Sequence, residues 1–357
     1  MAEKTIVTTS SEIKAGPRDA YRGIIRYIHA QRLEAGDRLP THSQLQKELG
    51  MGNDVLSEAM AAMVSDGVLV RRRRVGTVLC DLSKAAQMVW SVGLTQHEHQ
   101  GLGFAGILDY HLRKLLVQRG CCDRTFFRPV PPRDRPHYLE DFHGLAEAVQ
   151  GGTIDAVITA EDLQTDESVL VCHLSAHNDS KLGCRLDQNA FLQLACGSLV
   201  LRGCRQLAWA RSKPVGPYGE KREMESRQPL NQLRREGLHV GVIEFNRGGI
   251  HGGRQIADEC LAMATKDRPD GLILMDDYVA MGLTDRLKDQ AAYRPHIVSL
   301  TSKQAQLLFS LPVIRLEQDI EVLAKNTVDL VMANLMDPAT KPRVVSYQCQ
   351  LVTGEQS

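Results

Sequence analysis

The chain is 357 residues long, its 43 Lys and Arg balance 43 Asp and Glu, and 43% of it is hydrophobic. That length argues for two or three domains rather than one core, and the composition is that of an ordinary soluble globular chain. Apolar runs of about eight to ten residues fall well short of the ~20 that span a bilayer, so no membrane partner is expected.

The opening "MAEKTIVTTSSEIKAGPRDA" lacks the apolar core and cleavage pattern of a secretory signal. Nine cysteines, an odd number without a C-x-x-C pair, read as small buried side chains in a reducing compartment. A cytoplasmic location is therefore expected. Residues 1–80 hold twelve Lys and Arg against nine Asp and Glu, a balance of +3 inside a chain of zero net charge. A basic excess on a small N-terminal unit is an electrostatic signal for nucleic acid.

In chain order, residues 1–16 read as a flexible tail and 17–80 as three helices and a hairpin. "RDAYRGIIRYIHAQRL" places Tyr21, Ile24, Ile25 and Ile28 on one helical stripe. Gly36 and Pro40 then break the helix. In "THSQLQKELG", Thr41 is the expected N-cap, Leu45 and Leu49 share a face, and Gly50 stops the helix. A third helix, capped by Asn53 or Asp54, turns Val55, Leu56, Ala59, Met60 and Met63 inward and closes at Gly67. Two short helices across a tight turn have helix-turn-helix spacing. "VLVRRRRVGTVL" reads as a hairpin with strands at 68–70 and 77–79 and a tip carrying Arg71, Arg72, Arg73, Arg74 and Gly76. A hairpin beside a recognition helix is a wing, whose cations can neutralise phosphates or enter a minor groove.

Residues 81–87 form a polar linker, after which 88–357 alternates strand with helix. That rhythm implies parallel sheets covered on both faces, and roughly nine strands suggest two subdomains. "GLGFAG" supplies Gly101, Gly103 and Gly106, a literal G-x-G-x-x-G. A dinucleotide site needs its first glycine directly off the strand, whereas "TQHEHQ" intervenes here. No cofactor is expected, and the loop is better placed to meet some other small ligand. His97 and His99 have H-x-H spacing, but no third ligand is near in sequence, so no metal site is expected. Asp276 and Asp277 are adjacent at a strand end and point to opposite sides, which argues against a catalytic acid pair. No enzymatic chemistry is expected.

Residues 17–80 resemble the winged helix-turn-helix of the GntR family of bacterial repressors, through "YRGIIRYI", "LEAGDRLPTHSQLQKELGM", "EAMAAMVSDGVLVRR" and "VGTVL". The resemblance departs at the reading positions, where Ser43 and Asn53 stand in place of the family's usual arginines. Asn53, Asp54 and Ser57 become the base-facing candidates, Asn being suited to adenine edges. Thr41, Lys47 and the wing residues Arg71 to Arg74, Gly76 and Thr77 would hold phosphates.

Residues 88–353 resemble the sensor domain of LacI/GalR repressors. The motifs are "RLDQNAFLQLACGSLVLRGCRQLAWA", "GGRQIADECLAMATKDRPDGLILMDDYVAMGL" and "LPVIRLEQDIEVLAKNTVDLVMANL". The expected fold is α/β, an N-terminal winged helix-turn-helix followed by a two-lobed periplasmic-binding-protein-like domain with two parallel Rossmann-like sheets. The resemblance implies a small effector such as a sugar in the cleft, and a homodimer. Asp277 matches the family's effector-binding aspartate, and the same carboxylate could cap the helix before "YVAMGL". Phe104 lies near the aromatic that opens the first helix of the domain, as a stacking surface or as core. Glu225 falls where the family has its cleft arginine, so Arg222 is assigned that role, and His97 joins the effector candidates. The function implied is a ligand-responsive regulator, most simply a repressor, that binds operator DNA. Two other readings stay open: a C-terminal domain serving only dimerisation, and an oxidoreductase-like domain with a DNA-binding head.

Overall fold

Helix α1 (Pro17–Ala30) begins where Pro17 fixes the first helical φ and Asp19 accepts the Gly16 N–H at 3.0 Å. In the computed structural model the described residues are 16–85, 90–97, 103–128, 137–165, 169–176, 179–213, 216–246, 248–305, 307–337 and 339–352. The reading of 1–16 as a tail lies almost wholly outside them. The chain forms two compact units, Met1–Trp90 with Arg119–Cys122 and Ala333–Lys341, and the remainder.

Helix α2 (His42–Leu49) carries the expected Thr41 cap, completed by Gln44, and ends at Gly50 in the left-handed region, φ +65°. Helix α3 (Asn53–Ser65) is capped by Gly52, not by Asn53 or Asp54. Both side chains are exposed on the first turn, released from capping. Leu56, Ala59, Met60 and Met63 are buried as the periodicity predicts, whereas Val55 is only half-buried. The wing strands β1 (Leu69–Arg72) and β2 (Gly76–Leu79) extend one or two residues further than the β-branched runs suggest. Arg71 and Arg72 therefore lie on a strand rather than at the tip, opposite Thr77 and Gly76. A third extended segment joins this sheet, since Arg38 bridges Val78 and Leu39 donates to the Thr77 carbonyl at 2.9 Å.

The second unit opens with β3 (Trp90–His97), α4 (Phe104–Gln118), β4 (Cys121–Arg128), β5 (His137–Tyr138) and α5 (Leu145–Gln150). Strands β6 (Ala156–Thr159), β7 (Leu163–Gln164), β8 (Leu170–His173) and β9 (Gly183–Leu186) follow. The chain then passes through α6 (Gln188–Val200) into β10 (Leu207–Ser212), α7 (Gly216–Arg235), β11 (Val240–Phe245) and α8 (Gly249–Ala262). The same run continues with β12 (Gly271–Leu274), α9 (Asp277–Leu287), β13 (His296–Ser302) and β14 (Val313–Gln318). Helix α10 (Ile320–Met336) leads to β15 (Val344–Tyr347) and β16 (Gln350–Leu351).

Two six-stranded sheets result, ordered β15-β9-β8-β6-β3-β4 and β11-β10-β12-β13-β14-β16. The second is parallel apart from the β14–β16 pair. It is covered on one face by a core around Phe191, Trp209 and Leu233 and on the other by one around Ile256, Leu274 and Leu283. Both faces being dry explains why its strands read as near-continuous apolar runs. Strand β4, "CCDRTFFR", escapes sequence patterning because charged residues interrupt it at a sheet edge.

Helices α8 and α9 touch backbone to backbone at two glycines. A Cβ on Gly253 would overlap the Val279 carbonyl oxygen and lie 2.5 Å from the Leu283 nitrogen, and one on Gly282 would overlap the Ile250 carbonyl. Neither obstacle can swing aside. Gly253→Ala should therefore destabilise the protein by about 1–3 kcal/mol through overpacking. Gly197→Ala, on the exposed face of helix α6 with nothing within 4 Å of the new methyl, should be neutral or stabilising by about 0.5–1 kcal/mol. Chemical denaturation of the two variants measures the contrast, and equal stabilities would refute the close helix contact.

Candidate nucleic-acid interface and ligand cleft

The start of α3, the approach to α2 and the wing enclose a concavity of about 490 Å³. Of the residues singled out from sequence, Thr41, Asn53, Ser57, Arg71, Gly76 and Thr77 line it. Lys47, Asp54, Arg72, Arg73 and Arg74 do not, although all five are exposed. The split among the arginines follows from strand geometry, because successive side chains on β1 leave opposite faces. Arg74 sits in the left-handed region at φ +64° and turns the hairpin. Among the described residues no carboxylate pairs with any of the four wing arginines, so their charge is uncompensated within this unit.

Sequence reasoning missed two residues here. Arg38 lines the same concavity from the third wing segment, and His42 faces Ser57 with Nε2 3.1 Å from the hydroxyl. The clue to Arg38 was the "GDRLP" stretch, which reads as a loop until its pairing to β2 is known.

In the second unit the ligand candidates gather where parallel strands end, the usual binding edge of such sheets. The segment before α4 meets the start of α9 there. A Cβ on Gly103, just before α4, would lie 2.5 Å from Cε2 of Tyr278, the second residue of α9. The aromatic ring fills the space beside the glycine, and the C-terminal edges of the two sheets thus face one another. Gly103 is the glycine of "GLGFAG" that makes this contact, and Gly101 lies outside the described residues. Phe104, the first residue of α4, is half-buried rather than core.

Asp277 is 6% exposed and opens α9. The cap of that helix is Asp276, which accepts from Tyr278 N at 2.8 Å and Val279 N at 3.1 Å. Sequence had left capping open to Asp277; the structure gives it to the neighbour. Burial, then the charge of Asp276, pushes the Asp277 carboxyl up to about 6, against backbone hydrogen bonds from Tyr278 and Ser302 that favour ionisation. Strands β10 and β13 carry buried polar atoms with no protein partner: Arg211 Nε, Thr301 Oγ1 and Ser302 Oγ toward their ends, and Trp209 Nε1 within the core around Phe191. Arg211 also donates to Glu244 at 2.9 Å and Glu223 at 3.2 Å. Arg227 bonds Glu223 as well, and the two guanidiniums hold that carboxyl below its ordinary range. None of these four strand residues stood out in sequence, where they are embedded in apolar runs. His97 ends β3 and Arg222 lies on α7, but their side chains fall outside the described residues. Among the described residues no cluster of three or more potential metal ligands occurs, and no helix is long and apolar enough to cross a membrane.

The raised Asp277 carboxyl has a consequence for stability. A carboxyl harder to ionise in the folded chain than in the unfolded one lowers stability as pH rises from about 4 through 6, and the penalty persists above that. Asp277→Asn keeps the shape and removes the buried charge. Discounted for partial solvation, the gain at pH 8 should be about 1–2 kcal/mol, or roughly 2–8 °C in melting temperature, and should vanish at pH 4. A melting series across that range decides; a difference independent of pH would mean that Asp277 is not charged against its surroundings.

With this geometry established, two family models match the chain. Residues 18–79 match bacterial regulatory proteins of the gntR family, and residues 197–356 match the periplasmic binding protein-like domain. The protein thus joins a GntR-type winged helix to a two-lobed periplasmic-binding-protein-like domain. Over 52 residues the chain is 46% identical to the "Putative L-lactate dehydrogenase operon regulatory protein" of Escherichia coli K12, covering 15% of this chain and 20% of that one. The chain therefore spans about a fifth of the length of the curated relatives it matches.

Solved structures share the fold of the larger unit. A LacI family transcription regulator from Clostridium acetobutylicum aligns with TM-score 0.58 and 13% identity, over 74% of this chain and 100% of its own. The Cra transcriptional dual regulator of Pseudomonas putida, in complex with fructose 1-phosphate, aligns with TM-score 0.57 and 14% identity over 73% and 97%. A LacI family regulator from Enterococcus faecium with bound ribose gives 0.56 and 15% over 74% and 97%.

Proposed function

We propose that the protein is a ligand-responsive bacterial transcription regulator, acting as a repressor, rather than an enzyme. Residues 17–80 bind operator DNA, 81–87 link, and 88–357 hold the effector and form the homodimer. The observation that carries this reading is the concavity in which exposed Asn53, half-buried Ser57 and unpaired Arg71 meet on one winged helix. Asn53 presents an amide that matches an adenine edge, and Arg71 supplies a phosphate-directed cation.

The effector is a small hydroxylated molecule, a sugar or derivative, held in the cleft of the second unit. Asp277 would accept hydroxyl protons there, with Phe104, His97 and Arg222 as further contacts. The ligands in the fold neighbours, fructose 1-phosphate and ribose, support this class. Closure of the lobes would bias the spacing of paired heads on DNA. A thermal-shift panel of sugars and sugar phosphates tests the sensor. A ligand at 100 times its dissociation constant should add about 2.7 kcal/mol, and silence across the panel would favour a domain that serves dimerisation alone.

The DNA half has a sharper test in strand alternation. Arg71→Ala should weaken binding to duplex DNA and reduce the salt slope of log affinity by about 0.9, one phosphate contact. Arg72→Ala, on the opposite face of β1, should have the smaller effect. Equal losses would mean that the wing acts as an undirected cloud of charge. Paired half-sites need paired heads, so the full chain should sediment as a dimer at micromolar concentration without DNA. A monomer would count against the regulator reading.

A further inference from the structure

We infer that Arg38, which lies on neither the recognition helix nor the wing hairpin, is a direct contact to the DNA backbone, held in place by the bare backbone of Gly76. This rests on the DNA-binding reading above and adds a residue to that interface.

The main chain of Arg38 is fixed first. Its bridge to Val78 is flanked by Leu39 N to Thr77 O and Leu79 N to Asp37 O, each 2.9 Å. The side chain is fixed next. A Cβ on Gly76 would lie 2.9 Å from Arg38 Nε, 3.3 Å from one terminal nitrogen and 3.4 Å from Cζ, so the guanidinium rests where a side chain at position 76 would be. Gly76 also has φ +109°, a conformation that other residues rarely adopt. The wing glycine thus has two jobs, turning the strand and leaving a seat for Arg38.

What the guanidinium lacks is a partner. It makes no ion pair or side-chain hydrogen bond among the described residues, and no Asp or Glu lines the concavity it shares with Asn53, Ser57, Arg71 and Thr77. Arg211 of the second unit shows the contrasting case, since two carboxylates occupy it. A positioned, exposed arginine with its donor fork open, recessed among neutral hydrogen-bonding groups, is built for an oxyanion that arrives from outside. On this surface that oxyanion is a phosphodiester of duplex DNA. The contact is independent of base sequence and fixes how the recognition helix enters the groove.

The experiment uses the full chain and a random-sequence 30-base-pair duplex, with anisotropy titrations between 50 and 200 mM salt. Arg38→Ala and Arg38→Gln should each weaken binding about three- to tenfold and lower the salt slope by about 0.9, whereas Arg38→Lys keeps the slope. Melting curves confirm that the variants fold, and Arg38→Gln retains most of the side-chain stem if alanine loosens the wing. An unchanged slope for both neutral variants, alongside a reduced slope for Arg71→Ala, overturns the role of Arg38 and leaves the DNA reading standing. Unchanged slopes for Arg38 and Arg71 variants alike would defeat the DNA reading itself. Competition by inorganic phosphate at matched ionic strength, abolished by Arg38→Gln, would overturn the duplex assignment in favour of a free anion.

Discussion

Asp187 donates its amide proton to the Tyr347 carbonyl at 2.8 Å, and the Tyr347 hydroxyl reaches Gln318 at 3.2 Å, which ties together the places where the chain passes between its two sheets. Asp187 caps α6 on the way into the second sheet, Gln318 ends β14 before α10 returns, and Tyr347 ends β15 before β16 crosses back. Each sheet keeps its own hydrophobic core on either side of this junction. Buried Asp277 and the unpartnered hydroxyls of Thr301 and Ser302 lie at the C-terminal ends of β12 and β13 in the second of these sheets.

Within that frame the unequal fates of two adjacent aspartates make chemical sense. Asp276 is exposed and spends its oxygen on helix amides, which is its structural task. Asp277 is carried inside by the first turn of the same helix and keeps a carboxylate where ionisation is costly. Trp209, Arg211, Thr301 and Ser302 hold buried polar atoms without protein partners. Buried polar groups are normally satisfied within the protein or by water, so these atoms stand apart from the rest of the sheet. The rigid junction of α8 and α9 at Gly253 and Gly282 keeps Asp277 and Tyr278 in fixed positions.

The cations of the winged helix follow the opposite principle, exposure without ion-pair partners among the described residues. A chain of zero net charge presents uncompensated cations here because, among the described residues, the wing arginines and Arg38 make no ion pair with a carboxylate. Strand pairing then sorts those cations by direction: Arg71 goes toward the recognition helix, and Arg72 away from it. Net charge describes the whole molecule, whereas phosphate contacts depend on the arrangement of single guanidiniums.

Much of this was legible in the amino-acid order alone, wherever the signal is local. The stripe Tyr21, Ile24, Ile25 and Ile28, the Thr41 cap, the Gly50 stop and the alternation of apolar runs with helices each follow from contacts within a few residues. What sequence could not supply depended on distant partners. Whether Asn53 caps a helix or is released from it was settled by how the turn at Gly52 closes. Arg38 became part of the wing only through pairing with Val78, and Gly103 meets the ring of Tyr278, 175 positions away. The exchange of capping between Asp276 and Asp277 turned on the exact start of α9. Local periodicity fixes which elements form, because backbone hydrogen bonds and side-chain spacing act at short range. Only the packed tertiary structure decides which polar groups lose water and which face a partner, because desolvation and charge are summed over everything brought close by the fold.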